Sequence, residues 1–140
     1  MRVTLTRVVA FHATHRYWKP EWTAAENAAR FGWTAAAPGH GHLYRVETTV
    51  TGPLDPATRM ILDLPVLDAL LADRVVTPLA GRHLNDVVPA FASGAALPTC
   101  EAIAAWIWEE LAPGLPPGVT LTRVRVAEDD TLWAECLGPT

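Results

Sequence analysis

The sequence predicts one α+β domain, in which an antiparallel sheet is covered by helices on one face. Segments with strand-like alternation lie near both ends of the chain, and capped helical segments lie between them, an order typical of this class. Of the 140 residues, 50% are apolar, which is enough for a real core. A chain of this length fits one unit, so we expect residues 1–140 to form a single domain.

The N-terminal part is expected to form a long strand followed by a short helix. Residues 3–17 are rich in valine and threonine and alternate at period two over their first half, which indicates a strand with one buried face. Thr23 and Glu26 then have the spacing of a capping box. The alanine-rich helix that they begin should end at Gly32, because glycine readily adopts the conformation that closes a helix.

A second long strand is predicted after a loop. Residues 33–39 form the loop by composition, and residues 40–52 again have a strand-like pattern. The segment 52–60 is rich in proline and aspartate, which favour turns, so it should return the chain in an antiparallel sense.

The middle of the chain should contribute two helices. Asp63 stands at a capping position with Pro65 in the first turn, and the helix is expected to continue until Pro78 stops it. After a loop, Thr99 is the predicted cap of a second helix, whose apolar residues recur with amphipathic spacing.

The C-terminal part is predicted to be a β-hairpin. Residues 119–127 and 131–137 both alternate strictly between apolar and polar side chains, as strands with one buried face do. The acidic turn 128–130 joins them. Two more strands therefore complete the sheet.

Charge and cysteine content argue against several classes of protein. The chain has 11 basic and 15 acidic residues and a net charge of -4, without the basic stripe that binds phosphate backbones, so nucleic acid is not an expected partner. Cys100 and Cys136 are too few for a disulfide framework, which fits a reducing cytoplasm. Arg2 and Arg7 interrupt the N-terminal segment, so we expect neither a signal peptide nor a membrane partner.

His40-Gly41-His42 is the sharpest local pattern. Residues two apart on a strand project from one face, so both imidazoles can reach one ion. A hairpin through residues 17–40 could bring His15 alongside them. Three neutral imidazoles around Zn²⁺ leave the fourth tetrahedral position open, as in catalytic zinc sites. The alternative is that His40 and His42 are two polar residues at the start of a strand.

Several motifs in order along the chain resemble the 6-pyruvoyl-tetrahydropterin synthase and 6-carboxytetrahydropterin synthase superfamily. The matching segments are Phe11–Arg16, Glu26-Asn27, Phe31-Gly32, Pro38–Tyr44, Leu54–Met60, Thr77–Leu79, Leu84-Asn85, Pro98–Glu101, Trp106–Glu109 and Val124–Glu128. The resemblance implies a T-fold, which is an antiparallel four-stranded sheet with two main helices on one face. It also implies a homo-oligomer, a trimer or hexamer, that binds a small pterin-like molecule at its subunit interfaces.

The same resemblance assigns roles to individual residues. It implies zinc ligation by His15, His40 and His42, and it makes Glu128 the carboxylate that pairs with the amidine-like edge of the heterocycle. A carboxylate suits that role because it can accept two parallel N–H bonds. Further substrate contacts are expected from three residues at matching motif positions, which are Thr34, Thr99 and Glu101.

The chain departs from the family at the positions for proton transfer. The family cysteine falls on Thr34 in one branch and on Ala36 in the other, and the family Asp-His pair falls on Ala80-Gly81. None of these residues titrates, whereas the metal ligands and Glu128 remain. Because each general acid or base contributes roughly 10²–10⁴-fold to a rate, we expect the usual synthase reaction to be severely weakened.

His83 and Asp86 are candidates to replace the missing groups, with His83 as the acid or base and Asp86 as the group that orients it. A surface position for His83 is the alternative. Three functions stay open. The first is a zinc-dependent enzyme with altered chemistry on a pterin-like or related heterocyclic or carbonyl substrate. The others are an inactive pterin- or metal-binding homologue and an ordinary synthase with replacement bases.

Overall fold

A computed structural model describes all 140 residues and contains one four-stranded antiparallel sheet in the order β1-β2-β3-β4. The strands are β1 (Thr4–His15), β2 (His40–Thr51), β3 (Thr120–Ala127) and β4 (Trp133–Cys136). The two central strands, β2 and β3, pair directly although 68 residues, which include most of the helices, separate them in sequence. The predicted antiparallel α+β architecture is confirmed.

Six α-helical segments accompany the sheet. They are α1 (Ala24–Phe31), α2 (Leu64–Leu71), α3 (Thr77–Leu79), α4 (Leu84–Val87), α5 (Pro89–Ala92) and α6 (Cys100–Leu111). Thr23 forms the predicted capping box, since its hydroxyl accepts from the backbone N–H of Glu26 and the Glu26 carboxylate accepts from the Thr23 N–H. Thr99 caps α6 more simply, since its hydroxyl accepts from the backbone N–H of Ala102. No helix is both long and apolar enough to cross a bilayer.

Pro78 does not end the helical segment as predicted. A π turn over Ala72–Val76 links α2 to α3, and Pro78, which has no N–H to donate, lies in α3 directly after this change in the hydrogen-bonding pattern. The helical path therefore continues to Leu79. Asp63 stands at the cap position of α2 as expected, but its side chain makes no capping hydrogen bond. Short helices α4 and α5 occupy the segment predicted as a loop.

The core lies between the sheet and its longer helices. Alternate residues of β2 and β3 face α2 and α6, and the fully buried members of this layer are Tyr44, Val46, Val50, Val124, Val126, Leu67, Leu71, Ile103, Ile107 and Leu111. Each such side chain contributes about 1.5–3 kcal/mol by leaving water. The opposite face of the sheet is charged, with Arg123 bridging Glu47 and Glu135 at 3.1 and 3.0 Å.

Candidate metal centre

The three predicted histidine ligands meet at one end of the β1-β2 ladder. His15, the last residue of β1, pairs with His40, the first residue of β2, and His42 follows two positions on, facing the same side. One donor atom from each imidazole lies within 4.8 Å of the other two. The Nε2 atoms of His15 and His42 are 3.1 Å apart. The strand register therefore creates the cluster that the sequence predicted.

Pro98 fixes the orientation of the His15 ring. The Nδ1 atom of His15 lies 2.8 Å from the carbonyl oxygen of Pro98, and a carbonyl can only accept, so Nδ1 carries the proton and donates. The lone pair of Nε2 then points into the cluster, as in metal sites where a second partner fixes the tautomer of a ligating imidazole. Pro98 precedes the cap of α6, so this bond connects the sheet to that helix.

The cluster favours neutral imidazoles. Burial, with a smaller contribution from the other histidines, lowers the pKa of His15 to about 4. Burial also lowers the pKa values of His40 and His42. In addition, Nδ1 of His40 is buried and has no hydrogen-bond partner. Three uncharged nitrogen donors with an orphaned buried ring nitrogen fit a divalent cation of the Zn²⁺ type.

Glu128 extends from the end of β3 to the histidine cluster. Its Oε2 atom lies 3.8 Å from Nε2 of His15 and 3.8 Å from Nε2 of His42, and the Cys100 thiol donates to the same oxygen at 3.8 Å. The side chain is only 11% exposed. Burial, followed by the negative charge of Asp129, raises the pKa of Glu128. A shielded carboxylate therefore lies beside the candidate metal ligands.

Two tyrosines and a cysteine lie near this carboxylate, and no role at the site was predicted for them from the sequence. The Tyr44 ring lies 5.5 Å from that of His42 and 5.8 Å from that of His15, and its buried hydroxyl has no partner. Burial raises the pKa values of Tyr17 and Tyr44 and raises that of Cys100 to about 12. These groups are therefore neutral. The position of Tyr44 at the site could have been predicted, because it follows His42 by two positions and therefore lies on the same face of the strand.

His83 lies at the edge of β1 next to the cluster. Its Nδ1 atom is 2.9 Å from the Thr14 hydroxyl, and its residue forms a parallel bridge with Thr14. Asn85 holds the adjoining chain, since its side-chain amide accepts from the Arg16 N–H and donates to the Arg16 carbonyl, both at 3.0 Å. Asp86 is exposed. Thr14, and not Asp86, is therefore the hydrogen-bond partner that orients His83.

The remaining predicted substrate residues have structural partners or face solvent. The Thr34 hydroxyl donates to the Phe31 carbonyl at 2.6 Å, the Thr99 hydroxyl caps α6, and Glu101 is exposed in the first turn of that helix. Next to Thr34, the Trp33 ring lies 4.6 Å from that of His40 although the residue is 69% exposed. Among the four predicted substrate contacts, Glu128 is the one whose polar atoms reach the histidine cluster.

Sequence comparisons relate the chain to pterin enzymes. A family profile described as 6-pyruvoyl tetrahydropterin synthase matches residues 4–139. The human 6-pyruvoyl tetrahydrobiopterin synthase is 37% identical over 126 residues, which cover 90% of this chain and 85% of that protein. A putative 6-carboxy-5,6,7,8-tetrahydropterin synthase from Archaeoglobus fulgidus is 32% identical over 96 residues, covering 69% of this chain and 73% of that protein.

Solved structures give the same relationship. The 6-pyruvoyl tetrahydropterin synthase of Caenorhabditis elegans superposes with a TM-score of 0.90 at 28% identity, covering 99% of this chain and 97% of that one. A catalytic residue mutant of 6-pyruvoyltetrahydropterin synthase from Plasmodium vivax has a TM-score of 0.67 at 13% identity, with 97% of each chain covered. The second similarity establishes the shared T-fold alone.

Proposed function

Because this chain belongs to the 6-pyruvoyl tetrahydropterin synthase family, whose profile spans residues 4–139, we propose that it is a zinc-dependent enzyme acting on a pterin-like or related heterocyclic or carbonyl substrate. Its chemistry differs from that of the usual synthase. The observation that carries the proposal is the convergence of His15, His40 and His42, with donor atoms within 4.8 Å of one another, beside the buried carboxylate of Glu128.

The metal would be held by the three imidazoles. His15 presents Nε2 in a fixed tautomer because Pro98 accepts the proton of Nδ1. His40 and His42 offer neutral rings, since burial lowers their pKa values. When bound, Zn²⁺ supplies Lewis-acid polarisation of substrate oxygens.

Glu128 would bind and orient the heterocycle. A 2-amino-pyrimidinone ring, as found in pterins, presents two adjacent N–H groups that one carboxylate can accept in parallel. Such a pair discriminates strongly when it is buried, because a ring without those donors leaves the carboxylate unpaired. A pterin is the favoured substrate because the human relative is named for a tetrahydrobiopterin and the Archaeoglobus fulgidus relative for a tetrahydropterin.

The altered chemistry follows from the residues at the family's proton-transfer positions. Thr34 and Ala36 stand where the cysteine is expected and Ala80-Gly81 where the Asp-His pair is expected. The Thr34 hydroxyl is already engaged by the Phe31 carbonyl at 2.6 Å. We propose that this chain binds and polarises its substrate but lacks the usual base.

A second candidate is the ordinary synthase reaction with His83 as the replacement base. The observation that favours it is the hydrogen bond between His83 Nδ1 and the Thr14 hydroxyl, which holds an imidazole one residue away from His15 on β1. Asp86 would then take no direct part.

One experiment separates these functions. Zinc-loaded protein is incubated with 7,8-dihydroneopterin triphosphate, and triphosphate release is followed for the wild type, His83→Ala and His12→Ala. We expect the wild type to release triphosphate at least about 10²-fold more slowly than a cysteine-bearing relative. Release at the relative's rate, abolished by His83→Ala and unaffected by His12→Ala, would establish the second candidate. Absence of both release and pterin binding would refute both enzymes.

We further propose that the chain works as a homo-oligomer, a trimer or hexamer, in the cytoplasm. Strand β1 over most of its length, and β4, each leave a backbone edge unpaired within one chain, and such an edge can pair with a strand of another chain. Large apolar side chains near these edges, Val8 and Trp133 among them, are exposed. Cys100 and Cys136 are free thiols, which fits a reducing compartment.

A further inference from the structure

We propose that Trp33 is a positioning residue of the metal centre, whose indole holds the His40 ring in the orientation that metal binding requires. This inference rests on the proposed function, because it concerns the same metal. It gives a role to a side chain that lies outside the set of candidate ligands and that the proposed function leaves unused.

His40 lacks the hydrogen bond that orients His15. An imidazole that binds a metal usually has its second ring nitrogen fixed by a carboxylate, a backbone carbonyl or water, and for His15 the Pro98 carbonyl has this role. The Nδ1 atom of His40 is buried and has no hydrogen-bond partner. Contacts with neighbouring rings are therefore left to orient His40.

Trp33 is the ring beside His40 that is not itself a candidate ligand. The centroid of the His40 ring lies 4.6 Å from that of Trp33 and 4.6 Å from that of His15. The His42 ring is 5.0 Å away. The two histidines would bind the same ion and so offer no independent support. The indole, tilted by 59° to the imidazole, is the contact that can limit rotation of His40 from outside the cluster.

The turn that carries the indole is tied to the end of β1. Arg16 donates to the Ala35 carbonyl from Nε at 3.0 Å and from Nη2 at 2.6 Å, and the Tyr17 N–H donates to the Thr34 carbonyl at 2.9 Å. Both donors directly follow the last residue of β1. The indole is therefore presented by a turn that is anchored beside the histidine cluster.

The exposure of Trp33 separates this role from a role in stability. The residue is 69% exposed, so most of its surface is not buried in the core and its removal should cost little stability. A single exposed aromatic residue can also be without function, and in that case its removal would leave the metal centre unchanged. Metal binding and stability can therefore be measured apart.

Equilibrium binding of Co²⁺, a visible probe of coordination that replaces Zn²⁺, tests the role of the indole without any turnover. We expect Trp33→Ala to weaken Co²⁺ binding by about 10–100-fold, as loss of an outer-shell partner does, and to change the Co²⁺ absorption spectrum. Trp33→Phe keeps an aromatic ring beside His40 and should recover most of the affinity and the wild-type spectrum. The urea midpoint should stay at the wild-type value in both variants.

Trp22→Ala is the matched control. The Trp22 ring belongs to the same segment between β1 and β2 but stacks on Phe31, at a centroid distance of 5.7 Å. Its loss should leave the Co²⁺ affinity and spectrum unchanged, even if stability falls. An effect on metal binding as large as that of Trp33→Ala would show that damage to the segment is responsible, and would overturn the inference.

A double-mutant comparison tests whether the indole acts through His40. If it does, Trp33→Ala should cause no further loss of Co²⁺ affinity in the His40→Ala background, since both changes remove the same interaction. A comparable loss in that background would show that Trp33 acts elsewhere, and would overturn the inference. If Trp33→Ala does not fold, as judged by circular dichroism, Trp33→Leu takes its place, because leucine keeps apolar bulk without a flat ring.

Failure of the proposed function would give a different result. Wild-type protein that binds no Co²⁺ would contradict the enzyme proposal and this inference together. If the wild type binds Co²⁺ and Trp33→Ala binds it equally tightly with the same spectrum, the enzyme proposal stands and only the role of Trp33 is contradicted.

Discussion

His15 is the most constrained side chain of the candidate metal centre. It is fully buried, its Nδ1 donates to the Pro98 carbonyl at 2.8 Å, and its ring packs edge-on against those of Tyr17, His40 and His42. A ring with this many contacts loses little conformational entropy when it binds an ion. His15 would therefore be a preorganised ligand, and the more exposed His40 and His42 would complete the set.

Replacing His42 by alanine should abolish tight metal binding. The variant leaves two imidazoles, and we expect its affinity for Zn²⁺ to fall by more than the about 10–100-fold that loss of an outer-shell partner costs. Competition with a chromogenic chelator measures this. His12→Ala is the matched control, because His12 is exposed and lies on the other face of β1. Equal losses in the two variants would show that the histidine cluster does not bind the metal.

The two cysteines should differ sharply in reactivity. Burial, followed by the negative charge of Glu128, raises the pKa of the Cys100 thiol to about 12, so at pH 8 about one molecule in 10⁴ carries the reactive thiolate at this site. Cys136 is only partly buried. We expect iodoacetamide to label Cys136 first in folded protein and Cys100 only after unfolding, as peptide mass spectrometry would report. Rapid labelling of Cys100 in folded protein would contradict this environment.

At the residue scale, the sequence predicted the histidine cluster better than the groups that support it. The strand spacing of His40 and His42 was sufficient to place two rings on one face, and the structure places His15 with them. The Pro98 carbonyl that orients His15 could not be predicted, because every residue has a backbone carbonyl and the sequence does not show which one will lie near the ring. Thr34 illustrates a second limit, since its hydroxyl is engaged locally by Phe31 and only coordinates reveal such a bond.

The loop that enters β2 depends on Gly39. This residue has φ of +111°, and a Cβ atom there would lie 2.6 Å from the His15 carbonyl oxygen and 3.1 Å from Cε1 of His83. Gly39→Ala should therefore displace the chain between His15 and His40. We expect lower metal affinity together with a loss of stability above the about 1–2 kcal/mol of backbone strain, measured by chelator competition and urea unfolding.

Gly32 provides the control for that prediction. Its φ is +61°, and nothing lies within 4 Å of the Cβ position. Gly32→Ala should introduce similar backbone strain without any collision, so its metal affinity should stay at the wild-type value. If Gly39→Ala bound metal as tightly as Gly32→Ala, the close approach at Gly39 would have no bearing on the site.

At the element scale, strands and capped helices could be predicted and helical irregularities could not. Period-two alternation placed all four strands within two residues at the ends, and Thr23 and Thr99 marked the starts of α1 and α6. Pro78 was misleading because proline usually ends a helix. The π turn at Ala72–Val76 lies where Leu71 and Val75 are buried in the core, and no local sequence pattern predicts it.

At the scale of the whole molecule, the sheet has one buried face, one charged face and two edges that are largely uncovered, since residues 81–83 pair only with the end of β1. The sequence predicted the buried face from alternation. The network on the other face, in which Glu47 pairs with Arg45, Arg123 and Arg125, joins two strands far apart in sequence and depends on their register. The uncovered edges are where a second copy of the chain is expected to pair.

The oligomer proposal predicts a molecular mass well above that of one chain. We expect light scattering to give three or six times the 15.2 kDa of the monomer. Leu137 follows β4 directly and is 70% exposed, so Leu137→Lys should shift the mass towards the monomer by placing charge at the edge. Val66→Lys on α2, at 44% exposure, should leave it unchanged. A monomeric wild type would refute the assembly.

The pairing of His15 with His40 has a consequence for how the molecule opens. These two residues form the last pair of the β1-β2 ladder, and the end of a ladder generally opens at a lower free energy than its middle. A metal ion bound by both side chains would link the two strands at this end of the ladder. This pair at the end of the ladder would then be among the last to separate, and slow amide exchange would extend from it along both strands.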